Sequence, residues 1–258
     1  MSKIKEAFAG GKAFIPFITC GDPDLETTEK IIEAMAASGA DLIELGIPFS
    51  DPTAEGTVIQ EGNLRALSGG VTTDKVFDMV RRVRQKVKIP MVFMTYANVV
   101  FSYGIERFLT KAAEVGIDGL ILPDVPYEEK AEFAPQCEAA GIDLISMIAP
   151  TSHDRIKMIA AEAKGFVYCV SSLGVTGVRS EITTDIGAMV RLVKEANPDV
   201  SCAVGFGIST PEQAAKMAAV SDGAIVGSAI VRLCAKYGRD AVKPIADYVH
   251  SMKEAVMQ

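Results

Sequence analysis

Short apolar runs alternate with amphipathic segments along the chain. Each run has four to seven residues rich in branched side chains, which is typical of a strand buried on both faces. The predicted strands are Ala13–Thr19, Leu42–Ile47, Met91–Tyr96, Gly119–Leu122, Leu144–Ile148, Phe166–Val170, Ser201–Val204 and Gly223–Val226. Between them, apolar residues recur at helical spacing. The predicted helices are 27–38, Asp74–Lys86, Ile105–Val115, Tyr127–Ala140, His153–Ala163, Thr184–Ala196, Thr210–Ala219, Ser228–Tyr237 and Asp240–Met257.

The alternation gives eight strand–helix units without a linker or a change in composition. Strict alternation of strands and helices predicts a parallel sheet. Eight units in 258 residues fit a closed (β/α)8 barrel, the TIM barrel, which typically takes about 250 residues. We therefore expect an α/β fold, with one barrel domain over residues 1–258 and an extra N-terminal helix. An open doubly wound sheet is the alternative.

Two connections in this pattern are long. One follows the second strand and runs to Gly70, and the other follows the sixth strand over Ser171–Thr183. Both leave the C-terminal ends of strands, the face on which barrel enzymes have their active sites. Loops of this length are often lids. We therefore expect the chemistry of this chain at that face.

The second predicted strand carries a carboxylate. Because a strand has period two, Ile43, Leu45 and Ile47 share one face and Glu44 lies on the opposite one. A buried, unpaired charge is costly, so Glu44 is either functional or part of a structural ion pair, unless this is an edge strand and Glu44 faces the surface. Eleven residues later, after an Asp-Pro turn, Glu55 supplies a second carboxylate. Two carboxylates so placed could divide acid–base work between them.

Glycines follow the last two predicted strands. Gly205 and Gly207 follow the seventh strand, Gly227 and Ser228 follow the eighth, and each pair leads into a helix. Backbone N–H groups at helix N-termini bind anions, and barrels commonly hold phosphate at these two loops. The run 174–177 after the sixth strand could close a third side. The sequence thus predicts phosphate binding, with glycines that merely permit tight turns as the alternative.

Composition limits the classes of partner and the cellular compartment that we expect for this chain. The formal net charge is −7 without a basic stripe, which argues against nucleic acid and anionic membranes. No apolar run approaches the roughly 20 residues of a membrane span, and the N-terminal segment lacks a signal-peptide core. The five cysteines are scattered without a CxxC pair, as expected of reduced thiols in a cytoplasmic protein. With two histidines, no metal-ligand cluster is visible, and we expect no metal.

Several reactions of phosphorylated substrates are disfavoured. The predicted strands contain no Lys for Schiff-base chemistry and no His for a metal site, and no GxGxxG follows a strand. Metal-free acid–base catalysis remains, with Glu44, Glu55 and Asp124 as candidates. Asp124 could instead cap a turn or helix. Tyr96 and Tyr168, on the third and sixth strands, could be core aromatics whose hydroxyls need a partner.

Seven runs along the chain carry a resemblance to a known family. They are Phe17-Ile18-Thr19-Cys20-Gly21-Asp22-Pro23, Glu44-Leu45-Gly46-Ile47-Pro48-Phe49-Ser50-Asp51-Pro52, Tyr96-Ala97-Asn98, Pro123-Asp124-Val125-Pro126, Gly174-Val175-Thr176-Gly177, Val204-Gly205-Phe206-Gly207-Ile208 and Gly223-Ala224-Ile225-Val226-Gly227-Ser228-Ala229. Together they resemble the tryptophan synthase α subunit, in the family's order and over the whole chain. The second run is highly specific.

The resemblance implies a (β/α)8 barrel that cleaves indole-3-glycerol phosphate to indole and glyceraldehyde 3-phosphate. It places Glu44 at the acid–base that protonates indole C3 and acts on the glycerol hydroxyl, and Glu55 at the carboxylate that holds the indole N–H. We expect the substrate-binding residues to be Phe17, Ile59, Met94, Tyr96, Asp124, Tyr168, Thr176 and Phe206. The expected phosphate-binding residues are Gly177, Gly207, Gly227 and Ser228.

The family works as an αββα complex whose β subunit carries pyridoxal phosphate. The resemblance therefore implies a β-subunit partner facing the loop around Asp51-Pro52, and no cofactor in this chain. A stand-alone lyase and a catalytically weak barrel that activates a partner are the alternatives. Glu55, Thr57 and Val58 replace the family's usual Asp, Pro and Thr in that loop, and Ser172 stands where many members have Arg. These departures concern the geometry of the loop more than the chemistry.

Overall fold

The computed structural model describes residues 3–171, 185–205 and 207–258. The strands are β1 (Ala13–Thr19), β2 (Ile43–Gly46), β3 (Met91–Met94), β4 (Gly119–Ile121), β5 (Asp143–Leu144), β6 (Ser146–Ile148), β7 (Phe166–Val170), β8 (Ser201–Gly205) and β9 (Gly223–Val226). Neighbouring strands pair in parallel in the order β5-β4-β3-β2-β1-β9-β8-β7-β6. This is the strand arrangement of a TIM barrel, as the alternation predicts.

The α-helices of the described residues surround the sheet. They are α1 (Leu25–Ala37), α2 (Thr57–Ser68), α3 (Thr73–Lys86), α4 (Ala97–Tyr103), α5 (Ile105–Glu114), α6 (Ala134–Ala140), α7 (His153–Ala161), α8 (Ile186–Ala196), α9 (Pro211–Val220), α10 (Ser228–Tyr237) and α11 (Val242–Val256). Shorter 3-10 helices cover Lys3–Phe8, Tyr127–Glu132 and Gly238–Asp240.

The fifth strand of the barrel is divided into β5 and β6. Its first half pairs with β4 and its second half with β7. Between the halves, the N–H of Ile145 donates to the carbonyl of Leu120 at 2.9 Å. Strands of a closed barrel are staggered, so one strand can finish pairing with one neighbour before it begins pairing with the other. The single strand expected over Leu144–Ile148 therefore becomes two short ones.

Alternate residues of the strands enter two separate apolar layers. Ile15 and Phe17 of β1 belong to a cluster inside the barrel, and Phe14 and Ile18 belong to the layer between the sheet and the helices. On β2, Ile43, Leu45 and the following Ile47 lie in the outer layer. Glu44 therefore points into the barrel, because successive side chains of a strand alternate between its faces.

The expected N-terminal helix is present as the 3-10 helix Lys3–Phe8. Ile4 and Ala7 are buried in the inner cluster, and the ring of Phe8 lies 5.8 Å from that of Phe166. This segment therefore covers the end of the barrel where the strands begin. The opposite end, where the strands finish, is left for the loops that follow them.

Two helices were not expected from the pattern. α2 lies inside the connection after β2, and its glycine at position 62 weakens the helical signal. A Cβ at Gly62 would lie 2.9 Å from Val231 Cγ1, so close packing against α10 requires glycine there. α4 has seven residues, too few for a clear period. The helix expected over Tyr127–Ala140 is divided, because Pro135 opens α6 and supplies no N–H.

Candidate active site

Glu44 lies deep in the barrel at the middle of β2. It pairs in register with Phe17 of β1 and Val92 of β3, and 1% of its surface is exposed. Its Oε1 has no hydrogen-bond partner among the described residues. Burial raises the pKa of the Glu44 carboxyl to about 8, because the charged form loses its hydration. At neutral pH this side chain is therefore mostly protonated and can donate a proton.

Glu55 lies at the end of the loop after β2, just before α2. It is 6% exposed, and the Asn63 Nδ2–H donates to its Oε2 at 2.8 Å. Burial raises the pKa of Glu55 to about 7, against the lowering effect of the Asn63 hydrogen bond. Glu55 is therefore more readily ionised than Glu44. A buried carboxylate with one oxygen held in this way can accept a hydrogen bond from a ligand on the other.

The two carboxyls line one cavity at the C-terminal end of the strands. The cavity is lined by Phe17, Glu44, Glu55, Ile59, Met94, Tyr168, Gly207, Ile208, Ile225, Gly227 and Ser228. Most of these side chains are apolar, so the cavity suits a flat apolar group. Burial, followed by the charge of Glu44, raises the pKa of the Tyr168 hydroxyl well above its ordinary value. Tyr168 therefore faces the cavity as a neutral phenol.

Two glycines make room for the aromatic walls. A Cβ on Gly46 would lie 2.5 Å from the Phe17 ring, and a Cβ on Gly205 would lie 2.4 Å from the Tyr168 hydroxyl oxygen. Real Cβ contacts are not this short, so the aromatic side chains occupy their places because glycine stands opposite. The inner face of the barrel is thus shaped around these two rings.

The far rim of the cavity is formed by the loops after β8 and β9. Gly207 has φ +83°, a conformation that glycine adopts readily. Gly227 is the N-cap of α10, and Ser228 is the first residue of that helix. The first N–H groups of a helix have no partner within it, and the helix dipole favours a negative charge there. This rim can therefore bind an anionic group such as phosphate.

The comparisons with known proteins agree with one another. The family model for the tryptophan synthase alpha chain matches residues 3–257. The chain belongs to the tryptophan synthase alpha chain family. It is 48% identical to the tryptophan synthase alpha chain of Lacticaseibacillus casei over 256 residues, which cover 99% of this chain and 96% of that one.

Solved structures of this family share the fold. The crystal structure of the tryptophan synthase alpha chain from Legionella pneumophila superposes with a TM-score of 0.89 at 34% identity, covering 100% of this chain and 98% of that chain. A chain of the tryptophan synthase complex from Pyrococcus furiosus gives a TM-score of 0.85 at 34% identity, with 94% and 98% covered. The expected TIM barrel and the resemblance to the tryptophan synthase α subunit are therefore confirmed.

Most of the predicted site residues meet at this cavity. Those that line it are Phe17, Glu44, Glu55, Ile59, Met94, Tyr168, Gly207, Gly227 and Ser228. Thr176, Gly177 and Phe206 lie outside the described residues, as does Ser172. The roles assigned to all of these residues remain predictions, which the geometry of the cavity supports for the nine that meet there.

Tyr96 and Asp124 are not among the residues that line the cavity. The Tyr96 hydroxyl accepts a hydrogen bond from the N–H of Ala54 at 3.1 Å, so it holds the loop that leads to Glu55. Burial, and then the charge of Glu55, raise the pKa of Tyr96. Both carboxyl oxygens of Asp124 lie 3.1 Å from the N–H of Ala97, which opens α4. Asp124 thus caps the start of α4, and the substrate contacts expected of Tyr96 and Asp124 stay predictions.

Sequence reasoning missed three residues of the site. Ile208 and Ile225 line the cavity, and Asn63 holds the Glu55 carboxyl. Ile225 lies in a predicted strand and could have been placed by period two. Asn63 follows Ile59 by four residues, which puts both on one face of a helix. That signal was hidden because α2 itself was not predicted.

Over residues 3–171, 185–205 and 207–258, no group of three or more His, Cys, Asp or Glu side chains is placed to hold a metal ion. Within the same ranges, no helix has the length and apolar character needed to cross a lipid bilayer.

Proposed function

We propose that this chain cleaves indole-3-glycerol phosphate to indole and glyceraldehyde 3-phosphate, as the α subunit of a tryptophan synthase. The observation that carries the proposal is the cavity shared by Glu44 and Glu55. It combines a buried neutral carboxyl, a second carboxyl that ionises more readily, apolar walls and an anion-binding rim. These are the features that an indole ring with a phosphorylated glycerol side chain would require.

Glu55 holds the ring nitrogen in this proposal. The indole N–H donates to the Glu55 carboxylate, which stabilises the positive charge that develops on the ring as C3 becomes tetrahedral. The apolar wall residues Phe17, Ile59 and Met94 cover the faces of the ring and exclude water. Exclusion of water strengthens the interaction between the carboxylate and the ring.

Glu44 supplies and recovers the proton. Its neutral carboxyl donates a proton to indole C3, and the resulting carboxylate then takes the proton of the glycerol hydroxyl next to the scissile bond. The C–C bond breaks as that hydroxyl becomes the aldehyde. The electrons of the broken C–C bond return to the ring, which restores indole. Glu44 ends protonated, so the cycle needs no net proton from solvent. A pKa of about 8 suits a group that must donate first at neutral pH.

The phosphate lies on the opposite rim, at Gly207, Gly227 and Ser228. The partial positive charge at the N-terminus of α10 binds it there. We also propose that Tyr168 borders the substrate beside Glu44, and that Thr176, Gly177 and Phe206 complete the site. Anchoring both ends of the substrate places indole C3 over Glu44.

The partner is proposed to be a tryptophan synthase β subunit in an αββα complex. One solved structure similar to this chain is of a tryptophan synthase complex, which supports this assembly. Pyridoxal phosphate would belong to that β subunit, and this chain would bind no cofactor. We expect the complex to work in the cytoplasm, since the five cysteines of the chain are free and buried.

The decisive experiment measures indole release from indole-3-glycerol phosphate, with and without added β subunit. We expect release by the isolated chain, a faster rate with the β subunit, and a loss of at least about 100-fold in Glu44→Gln. The exposed Glu61→Gln on α2 serves as the matched control. Binding of an indole-alkyl phosphate that cannot be cleaved should survive in Glu44→Gln and weaken in Glu55→Ala. Wild-type turnover in Glu44→Gln would overturn the assignment of the acid.

Two other results of the same assay would change the function. Release that is unaffected by the β subunit would indicate a stand-alone lyase. Absence of indole release, together with activation of the β subunit, would indicate a barrel that acts only as an activating subunit.

A further inference from the structure

Asn63 is a buried polar residue on the helix that follows Glu55. It is 5% exposed, and its amide donates to Glu55 Oε2 at 2.8 Å. Asn is uncommon in buried helix positions, and a buried amide is tolerated there when its hydrogen bonds are made. The bond therefore links the carboxyl directly to the frame of α2.

Two further hydrogen bonds hold the backbone on either side of this carboxyl. The Gln60 Nε2–H donates to the main-chain carbonyl of Glu55 at 2.8 Å. On the other side, the N–H of Ala54 donates to the hydroxyl of Tyr96 at 3.1 Å. The backbone is thus fixed from α2 by Gln60 and from the residue before α4 by Tyr96. Asn63 is the residue that fixes the side chain.

The barrel in turn fixes α2. Arg65, two residues beyond Asn63, makes two hydrogen bonds of 2.8 Å to the buried carboxylate of Asp22, which follows β1. Gly62, which precedes Arg65 by about one helical turn, packs closely against both Asp22 and Val231 of α10. The donor on Asn63 is therefore held in place by rigid elements on both sides, as precise positioning requires.

We propose that Asn63 is a positioning residue, which holds Glu55 as a carboxylate with one oxygen bound and leaves the other oxygen to accept the N–H of the indole ring. This proposal rests on the proposed function, because it concerns the carboxyl to which that function assigns the ring nitrogen. Asn63 does not touch the substrate in this scheme. It acts through Glu55.

The charges around Glu55 explain why such a donor is needed. The ionisable groups that line the cavity with Glu55 are Glu44 from β2 and Tyr168 from β7. Tyr96, two residues beyond β3, lies near enough for the charge of Glu55 to raise its pKa. All three are acids, and none of the described residues that line the cavity is Lys, Arg or His. Among these described lining residues, a carboxylate therefore has no cation to stabilise it. A hydrogen bond to the charged form is then the interaction that favours ionisation.

The test is the pH dependence of kcat/KM for indole release, measured from pH 6.5 to pH 8.5. The variants are Asn63→Leu, which removes the donor, and Asn63→Asp, which keeps the shape and replaces the donor by a second carboxyl. Leu64→Ala is the control, since Leu64 is on the same helix and 60% exposed. Loss of the hydrogen bond from Asn63 should raise the pKa of Glu55 by about one unit, because a hydrogen bond stabilises the charged form of a carboxyl by about that much.

We expect the ratio of wild-type to Asn63→Leu activity to be about fivefold at pH 7 and below about twofold at pH 8.5. The titration of Glu44 affects both proteins alike, so it cancels in this ratio. Asn63→Asp should show a larger ratio at pH 7, because its carboxyl repels the charge on Glu55. Leu64→Ala should give a ratio near one throughout.

The same loss at every pH would indicate a structural role alone and would overturn the proposal, as would unchanged activity in both variants. Titration of 13C-labelled glutamate side chains by NMR supplies a reading that does not need activity. The signal of Glu55, assigned with Glu55→Gln, should titrate at higher pH in the Asn63 variants. If wild type releases no indole, the proposed function fails, while an upward shift in this titration would still support the link between Asn63 and Glu55. If Asn63→Leu does not fold, the isosteric Asn63→Asp carries the test.

Discussion

The burial of Glu44 predicts that its removal stabilises the protein at alkaline pH. The pKa of about 8 in the folded state lies above the ordinary glutamate pKa of 4.5. Between these values the folded chain holds a proton that the unfolded chain has released. The free energy of unfolding must therefore fall as pH rises towards 8. Glutamine has the shape and the neutral charge of the protonated glutamate at every pH, so Glu44→Gln should abolish this part of the loss.

The magnitude follows from the two pKa values. Their difference corresponds to about 5 kcal/mol in full. Linkage places about 3 kcal/mol of that loss between pH 6 and pH 9. Near pH 6 the folded protein keeps Glu44 protonated, so much of the loss in unfolding free energy has not yet occurred. The advantage of Glu44→Gln over wild type should therefore grow by about 3 kcal/mol across this range.

Urea unfolding of the isolated chain at pH 6, 7, 8 and 9 measures this difference. The range stays above the isoelectric point, near 5.0, where solubility is lowest. Glu55 and the buried tyrosines titrate in both proteins and cancel in the comparison. For Glu61→Gln, at an exposed position, the unfolding free energy should change with pH as it does in wild type. If Glu44→Gln also runs parallel to wild type, the Glu44 carboxyl is either hydrated or paired when ionised, and the argument from burial is wrong.

Three further predictions concern packing, the buried ion pair and the thiols. In Gly205→Ala, the new Cβ would displace Tyr168, so we expect a loss of about 1–3 kcal/mol in urea unfolding and slower indole release; unchanged values for both would contradict the packing. In Arg65→Met, the buried Asp22 carboxylate loses its partner, and urea unfolding should show a loss of about 3 kcal/mol, whereas Ser68→Ala on the exposed face of α2 should show none. All five thiols are buried, so a thiol reagent such as Ellman's should react with the native chain only as it unfolds, and rapid labelling of the native state would count against this.

The alternation of side chains between the two faces of a strand predicted the most about the site. The position of Glu44 inside the barrel follows from its place between Ile43 and Leu45, because a strand that puts those two residues against helices must put Glu44 on the other face. The position of the cavity rim at Gly207, Gly227 and Ser228, where we propose that phosphate binds, followed from glycines and barrel architecture. The first inference depends on regular backbone, where sequence position fixes the direction of a side chain. The second depends on the order of the strands, which fixes where the loops after them lie.

The surroundings of Glu55 could not be predicted in this way. Glu55 lies in a loop, and its burial depends on α2 folding over the barrel, which the pattern did not reveal. Gly62 lowers helix propensity at the point where α2 must approach Val231. Packing against α10 and the pair between Asp22 and Arg65 decide the helix instead. The spacing after Glu44 pointed to Glu55 and the family resemblance implied its role, but only the fold shows what holds it.

The loop's departure from the family pattern also has a structural meaning. Thr57 is the first residue of α2, and Gly56 before it makes no side-chain capping bond. This first helical position is where proline is favoured, since its missing N–H would be unpaired there anyway. Threonine instead restores an N–H at the start of α2 and leaves φ less restricted. The bonds from Gln60 and Asn63 to Glu55 therefore contribute more to the order of this segment than they would beside a proline.

The two carboxyls illustrate how environment can suit identical side chains to the different roles that we propose for them. Glu44 Oε1 has no hydrogen-bond partner among the described residues, and burial keeps the side chain protonated, which suits a proton donor. Glu55 is also buried, but the amide of Asn63 favours its charged form, which suits an acceptor for a ring N–H. Exchanging these environments would exchange the ease with which the two carboxyls ionise, because burial and hydrogen-bond donors set that property. The position of Asn63 is therefore as informative about the reaction as the carboxyls themselves.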